Sequence, residues 1–321
     1  MRRGHNCIKV LAVMTAWLCL FCFAGQKAQA QNANDQKAGS VLFYNIYTSR
    51  SFNTAAVDTR ISITNTSPDD DVYVHFYFVD AYSCQVADAL MFLTRNQTAR
   101  FLASDMDPDV NGYIVAVATN KSGLPIQHNF LIGDEMVKQT LGPTSGSTHS
   151  YQLTAPAFAK INNQVPALLA DGISTSLVFD GGASASSYER LPAEVAIDNF
   201  ESQVSADTRL ILYSPRNNLY LGGDFGGQIF ILYFDDLEHP FSSSMGLVCW
   251  VQTRLTIIRN LNLRVAAGHS GWARFNGSRE NGTIPLLGSV VTASDFNGGH
   301  NLHYLSFLPS YTIVVPVIGI G

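Results

Sequence analysis

Strand signals dominate the pattern of apolar and polar positions along this chain. In Arg60-Ile-Ser-Ile-Thr64 the isoleucines share one face and the polar residues the other, as a half-buried strand requires. Short runs rich in β-branched and aromatic residues predict strands at Val41–Tyr47, Thr59–Thr64, Val72–Val79, Tyr113–Ala118, Ser176–Phe179, Leu210–Tyr213, Gln228–Phe234 and Leu255–Ile258. Clusters of Gly, Pro, Asn, Asp and Ser separate them. Helical periodicity is sparse: Ala155–Leu169 is the best helical segment, and Pro156 and Pro166 limit it to a turn or two.

The pattern also repeats. Val57-Asp-Thr-Arg-Ile61 recurs as Ala206-Asp-Thr-Arg-Leu210, and each is followed by Ser-Pro, at Ser67-Pro68 and Ser214-Pro215. An aromatic strand ending in acid comes next in both places, Tyr73–Asp80 and Ile229–Asp236, and then a cysteine, Cys84 and Cys249. An ordered series of matches points to an internal duplication, and a duplication constrains architecture. The chain is therefore expected to be all-β, with two tandem antiparallel β-sandwich domains of immunoglobulin-like type after a cleaved signal peptide. The expected boundaries are 1–30 for the signal peptide, 31–140 for the first sandwich, 141–187 for a Gly/Ser-rich linker region with one further strand candidate, and 188–321 for the second, diverged copy. A single large barrel is the alternative topology.

Composition and charge set the compartment. Arg2, Arg3 and Lys9 precede an apolar run of 15 residues from Val10 to Ala24, and Ala28-Gln29-Ala30 has the small-x-small pattern of a signal-peptidase site. A spanning helix needs about 20 apolar residues, so the run is expected to be removed, leaving Gln31 as the first residue of an exported chain in the periplasm, at the cell surface or outside the cell. The whole chain carries a net charge of −5, and the removed segment holds four basic residues (Arg2, Arg3, Lys9, Lys27) and no acidic ones, leaving −9. No basic cluster follows, which argues against a nucleic-acid partner. Hydrophobic residues make up 46% of the chain, enough for a sizeable core. Three of the five cysteines leave with the signal, and the remaining two, Cys84 and Cys249, either form one bridge or stay as buried thiols.

The stretch Phe101-Leu-Ala-Ser-Asp-Met-Asp-Pro-Asp-Val-Asn-Gly-Tyr-Ile-Val-Ala-Val-Ala118, with Ile63-Thr-Asn-Thr66 and Leu191-Pro-Ala-Glu-Val-Ala-Ile-Asp-Asn199, resembles exported bacterial proteins of unassigned function. The resemblance implies an envelope or secreted protein and carries over no catalytic residue, substrate or cofactor.

Asp105, Asp107, Asp109 and Asn111 place oxygens at alternate positions, which suits a hard cation such as calcium. The spacing departs from the helix-loop-helix calcium pattern, with Gly112 eighth and Ala116 twelfth, and a polar strand-connecting turn accounts for the same residues. Asp69-Asp70-Asp71 reads as a solvated hairpin tip. Asp235, Asp236, Glu238 and His239 offer acid-base groups, but neighbours on a strand point to opposite faces. The same parity places His300 and His303 on opposite faces of a strand, which discounts them as metal ligands. Gly268-His-Ser-Gly-Trp272 reads as a tight turn, and the loop Gly222–Gly227 lacks the lysine of a phosphate cradle. Trp250 and Trp272 suit either core packing or a sugar-stacking platform, and Tyr311–Gly321 reads as a buried last strand.

No catalytic set converges in the sequence. The expected function is non-catalytic binding, adhesion or structure at the envelope, with a polysaccharide or an envelope protein as partner. The alternatives are a calcium-dependent carbohydrate-binding module, with calcium as its cofactor, and a secreted hydrolase using carboxylates such as Asp235 or Asp236.

Overall fold

The computed structural model describes residues 37–141, 147–201, 207–221, 227–255, 258, 269–280, 282–293 and 298–317. The predicted export segment, most of the glycine-rich loop before Gln228 and Gly268 lie outside the described residues. In chain order the first elements are β1 (Val41–Thr48), β2 (Asp58–Asn65), β3 (Val72–Asp80), β4 (Val86–Leu93), β5 (Thr98–Leu102), a one-turn helix α1 (Ala103–Met106) and β6 (Asn111–Thr119). Then come β7 (Leu131–Leu141), β8 (Ser147–Thr154), β9 (Ala157–Phe158), β10 (Ser174–Phe179) and β11 (Ser187–Tyr188). The remainder is β12 (Pro192–Glu201), β13 (Asp207–Tyr213), β14 (Gly227–Asp235), β15 (Pro240–Leu247), β16 (Trp250–Arg254) and β17 (Ser270–Arg279). β18 (Gly282–Ile284), β19 (Leu287–Ala293), β20 (Gly298–Asn301), β21 (His303–Phe307) and β22 (Tyr311–Pro316) complete it.

Five small sheets result, with strand orders β4-β3-β6-β1-β9, β5-β2-β7-β8, β11-β10-β22, β16-β13-β19-β20 and β15-β14-β17-β12-β21, the last with β18 beside β17. The pairs are antiparallel except β10 with β11. The chain is all-β, as expected, but the sheets are arranged as a five-blade β-propeller of small sheets. This overturns the two tandem immunoglobulin-like sandwiches. The third sheet shows why: β10 and β11 come from the middle of the chain and β22 from near its end, so one sheet is assembled from both. The helical turn expected within 155–169 is replaced by strand at β9. The strand expected at Leu255–Ile258 is a turn at its described ends, where Ile258 N donates to Leu255 O.

Burial on both faces of a sheet is the physical reason for the departure. All eight residues of β1 are buried. Leu42 and Tyr44 join Ile61, Ile63, Phe76 and Phe78 in one cluster. Val41 and Phe43 point the other way, into a cluster with Phe158, Phe179, Tyr213, Leu287 and Ile313. That second cluster, and a smaller one of Ile46, Val137 and Leu153 with Ile211 and Val291, take residues from both halves of the chain. A fourth core, around Val195, Leu210, Ile231 and Phe275, belongs to the second half. Alternation alone shows which residues share a face and not how many faces are covered.

Polar groups lock the same seam. The register of β1 on β6 slips between Tyr44 and Tyr47, placing Asn45 at the irregularity. Its Nδ2 lies 2.8 Å from both Ser289 Oγ and Asn301 Oδ1 and 3.2 Å from Gly288 O. Its Oδ1 accepts from Tyr213 Oη at 2.8 Å and its backbone O from Trp250 Nε1 at 2.9 Å. Tyr113 stacks on Tyr213 with centroids 4.2 Å apart, and Cys84 is joined to Cys249 as a disulfide. Of the two alternatives the sequence left for these cysteines, the bridge is the one formed.

Lys160 is fully buried beside the three-stranded sheet, bridged to Tyr188, with Nζ 5.0 Å from that ring's centroid and no hydrogen-bond partner. Burial lowers its pKa from 10.5 to about 8. A cation whose folded pKa is depressed costs stability in full below about 8, and the cost fades as pH rises toward 10.5. Lys160→Met is therefore expected to raise stability by about 2 kcal/mol at pH 7 and by progressively less above pH 8, as read by urea unfolding at several pH values.

Candidate functional site

The solvent face of the six-stranded sheet carries an unusual set of side chains. On β14, Ile229, Ile231 and Tyr233 turn into the core, leaving Phe230, Leu232 and Phe234 on the opposite face. The register sets Asn276, Arg274 and Trp272 of β17 opposite those three. β12 then places Glu194 beside Asn276 and Ala196 beside Arg274, and β21 places His303 beside Ala196. On the other side of β14, Ser244 and Ser242 of β15 lie opposite Phe230 and Leu232. One part of the face is thus aromatic and apolar, the other polar.

Phe234 and Trp272 stack with centroids 4.6 Å apart and planes 9° from parallel. Trp272 is 38% exposed and Phe230 47%. Gly271 permits this arrangement: a Cβ there would lie 2.4 Å from Phe234 O and 2.9 Å from the Phe200 ring, so any other residue would push β17 off β14. Beside the rings, Asn276 Nδ2 donates to Glu194 Oε1 at 3.1 Å, and Arg274 Nε lies 3.5 Å from the same oxygen. An exposed tryptophan stacked on Phe234, next to an arginine, a carboxylate and an amide, offers a flat apolar surface with hydrogen-bonding groups at its margin.

At the far edge of this sheet, His300 and His303 both approach Asp198. His300 Nε2 is 3.3 Å from Asp198 Oδ1 and His303 Nε2 is 3.7 Å from Asp198 Oδ2. This corrects the expectation that the two histidines point apart on one strand. They lie on two strands of two sheets, because the chain crosses from β20 to β21 at Leu302. Leu302 is 3% exposed in the second-half core and donates its N–H to Gly288 O. Burying that one side chain changes the parity. Asp198 follows Ile197 where the register of β12 on β17 slips. Burial acts to raise its carboxyl, and the facing His300 with local backbone amides outweighs it, holding the group below the usual range.

The residues singled out in the sequence have other partners. Asp107 Oδ2 accepts from buried Tyr47 Oη at 2.5 Å, Asp109 accepts from Ser51 N and Oγ at 3.0 and 2.8 Å, Asn111 Oδ1 accepts from Thr48 Oγ1 at 2.6 Å, and Asp105 caps α1 through Leu102 N. Burial pushes the Asp107 carboxyl up, against the Tyr47 hydrogen bond, which holds it down. Asp69–Asp71 link β2 to β3, which lie in different sheets, so they form a crossing and not a hairpin tip. Asp235 accepts from Leu237 N and His239 N and meets His239 Nδ1 at 3.0 Å, whereas Asp236 meets His269 Nδ1 at 2.8 Å. The two acids are thus tied to different histidines. Ser270 opens strand β17, and Trp250 serves the seam through Asn45, so of the two tryptophans Trp272 is the one on the solvent face. Tyr311–Pro316 pairs with β10 of the same chain.

A pocket of about 170 Å3 opens where the halves meet, lined by Arg50, Gln139, Arg209, Trp250 and Gln252 among others. It is smaller than the roughly 300–1,000 Å3 usual for small-molecule sites. Among the described residues no helix is long and apolar enough to cross a membrane.

No protein-family model matches the sequence, and no curated protein matches it. Three solved structures bear a weak likeness. The Thermotoga maritima protein designated 1070 aligns over 38% of this chain and 96% of its own, with 11% identity and a TM-score of 0.28. The apo form of Pleurotus ostreatus lectin aligns over 93% and 83%, with 9% identity and a TM-score of 0.17. A lectin from the same organism in complex with GalNAc aligns over 89% and 86%, with 10% identity and a TM-score of 0.13. These scores are too low to indicate a shared fold.

The Tyr47 contact makes the Asp107 loop testable. Asp107→Ala leaves a buried hydroxyl without its acceptor and is expected to cost about 1–3 kcal/mol, equally in calcium and in chelator. A loss seen only with calcium present would restore the cation reading.

Proposed function

We propose that this chain is an exported, non-catalytic binding protein whose ligand face is the solvent side of the six-stranded sheet, and that its ligand is a polysaccharide. The observation that carries the reading is the near-parallel Phe234–Trp272 stack, with Trp272 exposed beside Arg274, Glu194 and Asn276. A sugar ring has apolar C–H faces and a rim of hydroxyls. The rings supply flat apolar area, and the carboxylate, amide and guanidinium supply acceptors and donors at the rim. Exposed apolar surface of this kind, rimmed by polar groups, is a common mark of a binding site. An open sheet face also suits a long polymer better than a small pocket does.

A secreted hydrolase is the less favoured reading. Glycoside cleavage uses two carboxyl groups flanking one bond, and Asp235 and Asp236 are engaged by His239 and His269 respectively.

Retention of the purified chain on insoluble polysaccharides and peptidoglycan tests the proposal. Trp272→Ala is expected to weaken retention at least tenfold, with far-UV circular dichroism unchanged and Tm within about 3 °C, since the side chain is substantially exposed. Retention of the variant equal to that of the parent, or no retention of the parent on any of these polymers, contradicts the reading.

A further inference from the structure

We propose that Asp198, His300 and His303 form a binding site for a divalent transition metal of the zinc class. The chemistry of the donors is the first argument. Two imidazole nitrogens and one carboxylate oxygen are a ligand set that zinc takes, and all three ligand atoms lie within 4.8 Å of one another. Among the described residues this is the one such group of three histidine, cysteine or acidic side chains.

The distances are the second argument. In a tetrahedral site with bonds of about 2.0–2.1 Å, neighbouring ligand atoms are separated by about 3.4 Å. The observed separations from the Asp198 oxygens to His300 Nε2 and His303 Nε2 are 3.3 and 3.7 Å. The two contacts are made by different carboxylate oxygens and one ligand atom from each residue lies within 4.8 Å of the others, so coordination requires the three side chains to close on the ion by side-chain rotation.

Backbone placement is the third. His300 is held on β20 by pairing with Val290 of β19, and His303 on β21 by pairing with Ala196 of β12. The two residues between them are fixed as well. Asn301 Nδ2 donates to Thr154 O at 2.6 Å, and Leu302 is buried in the core. Little main-chain ordering is left for binding to impose, which favours affinity. His300 and His303 come from the edge strands of two sheets and Asp198 from β12, which neighbours β21, so a bound ion would tie the four-stranded sheet of β20 to the six-stranded sheet of β12 and β21. All three are about half exposed or more, which leaves the fourth coordination position open to water or to an outside ligand. The inference stands on this geometry and does not depend on the polysaccharide reading.

Calorimetric titration of the chelator-treated, untagged chain with zinc chloride tests it directly. One zinc per chain is expected, with a Kd in the micromolar range or tighter and a rise in Tm of about 5 °C at a hundredfold excess over Kd. Cobalt in place of zinc is expected to give the visible absorption of a tetrahedral site. His300→Ala and His303→Ala should each weaken binding at least tenfold while leaving Tm in chelator unchanged, and Asp198→Asn should weaken it too. Failure of zinc to bind overturns the proposal. So does binding that survives both histidine substitutions, which would place the ion at another pair such as Asp235–His239 or Asp236–His269.

Discussion

A slip in the pairing of β1 places Asn45 in the seam between the two halves of the chain, where four groups of the second half meet its side chain and a fifth, Trp250 Nε1, its backbone oxygen. The amide is fully buried, so each of these hydrogen bonds replaces one to water, and leaving any of them unmade would cost about 1–3 kcal/mol. That asymmetry makes the arrangement specific: shifting one half against the other strands several buried donors and acceptors together. The Tyr113–Tyr213 stack and the Cys84–Cys249 bridge lie on the same seam. The bridge spans 165 residues, so it constrains just over half the chain in the unfolded state.

The seam also sets the surface chemistry. Asn301 touches Asn45 on one side and Thr154 on the other, and the next residue, Leu302, plugs the core of the second half. Fixing these two positions decides where β20 ends and β21 begins. It thereby brings His300 and His303 together on Asp198. The outer edge of the six-stranded sheet is held by the same crossing, and this sheet presents the Phe234–Trp272 stack. Interior polar contacts and exterior chemistry are linked through four consecutive residues, His300 to His303.

Much of the local structure was legible in the sequence, because period-two alternation and β-branched content reflect the chain's own geometry. The strand around Ile61 and Ile63 follows the alternation, and those around Phe76 and Ile231 follow the aromatic and β-branched content. Two of the sheets share a strand order. β4-β3-β6-β1 has its counterpart in β15-β14-β17-β12, and both β1 and β12 slip register after their fourth paired residue. Packing beyond each half was not legible. Nothing in the sequence of β1 says that Val41 and Phe43 meet Phe158, Phe179 and Leu287, so the expectation stopped at two separate sandwiches. The site was legible only in hindsight of the register. Gln228-Ile-Phe-Ile-Leu-Tyr-Phe234 is apolar at both alternations, which reads equally as a strand buried on both sides; only its neighbours reveal an exposed aromatic face. The histidines were misplaced because strand parity assumes an unbroken strand, and Leu302 breaks it.

If the buried seam makes the described residues one folding unit, heat should unfold them together. Differential scanning calorimetry of the intact, oxidised chain measures this most directly. One transition is expected, with calorimetric and van't Hoff enthalpies that agree. Two resolved transitions, each with the enthalpy of about half the chain, would show that the halves fold independently and that the Asn45 seam does not govern the structure.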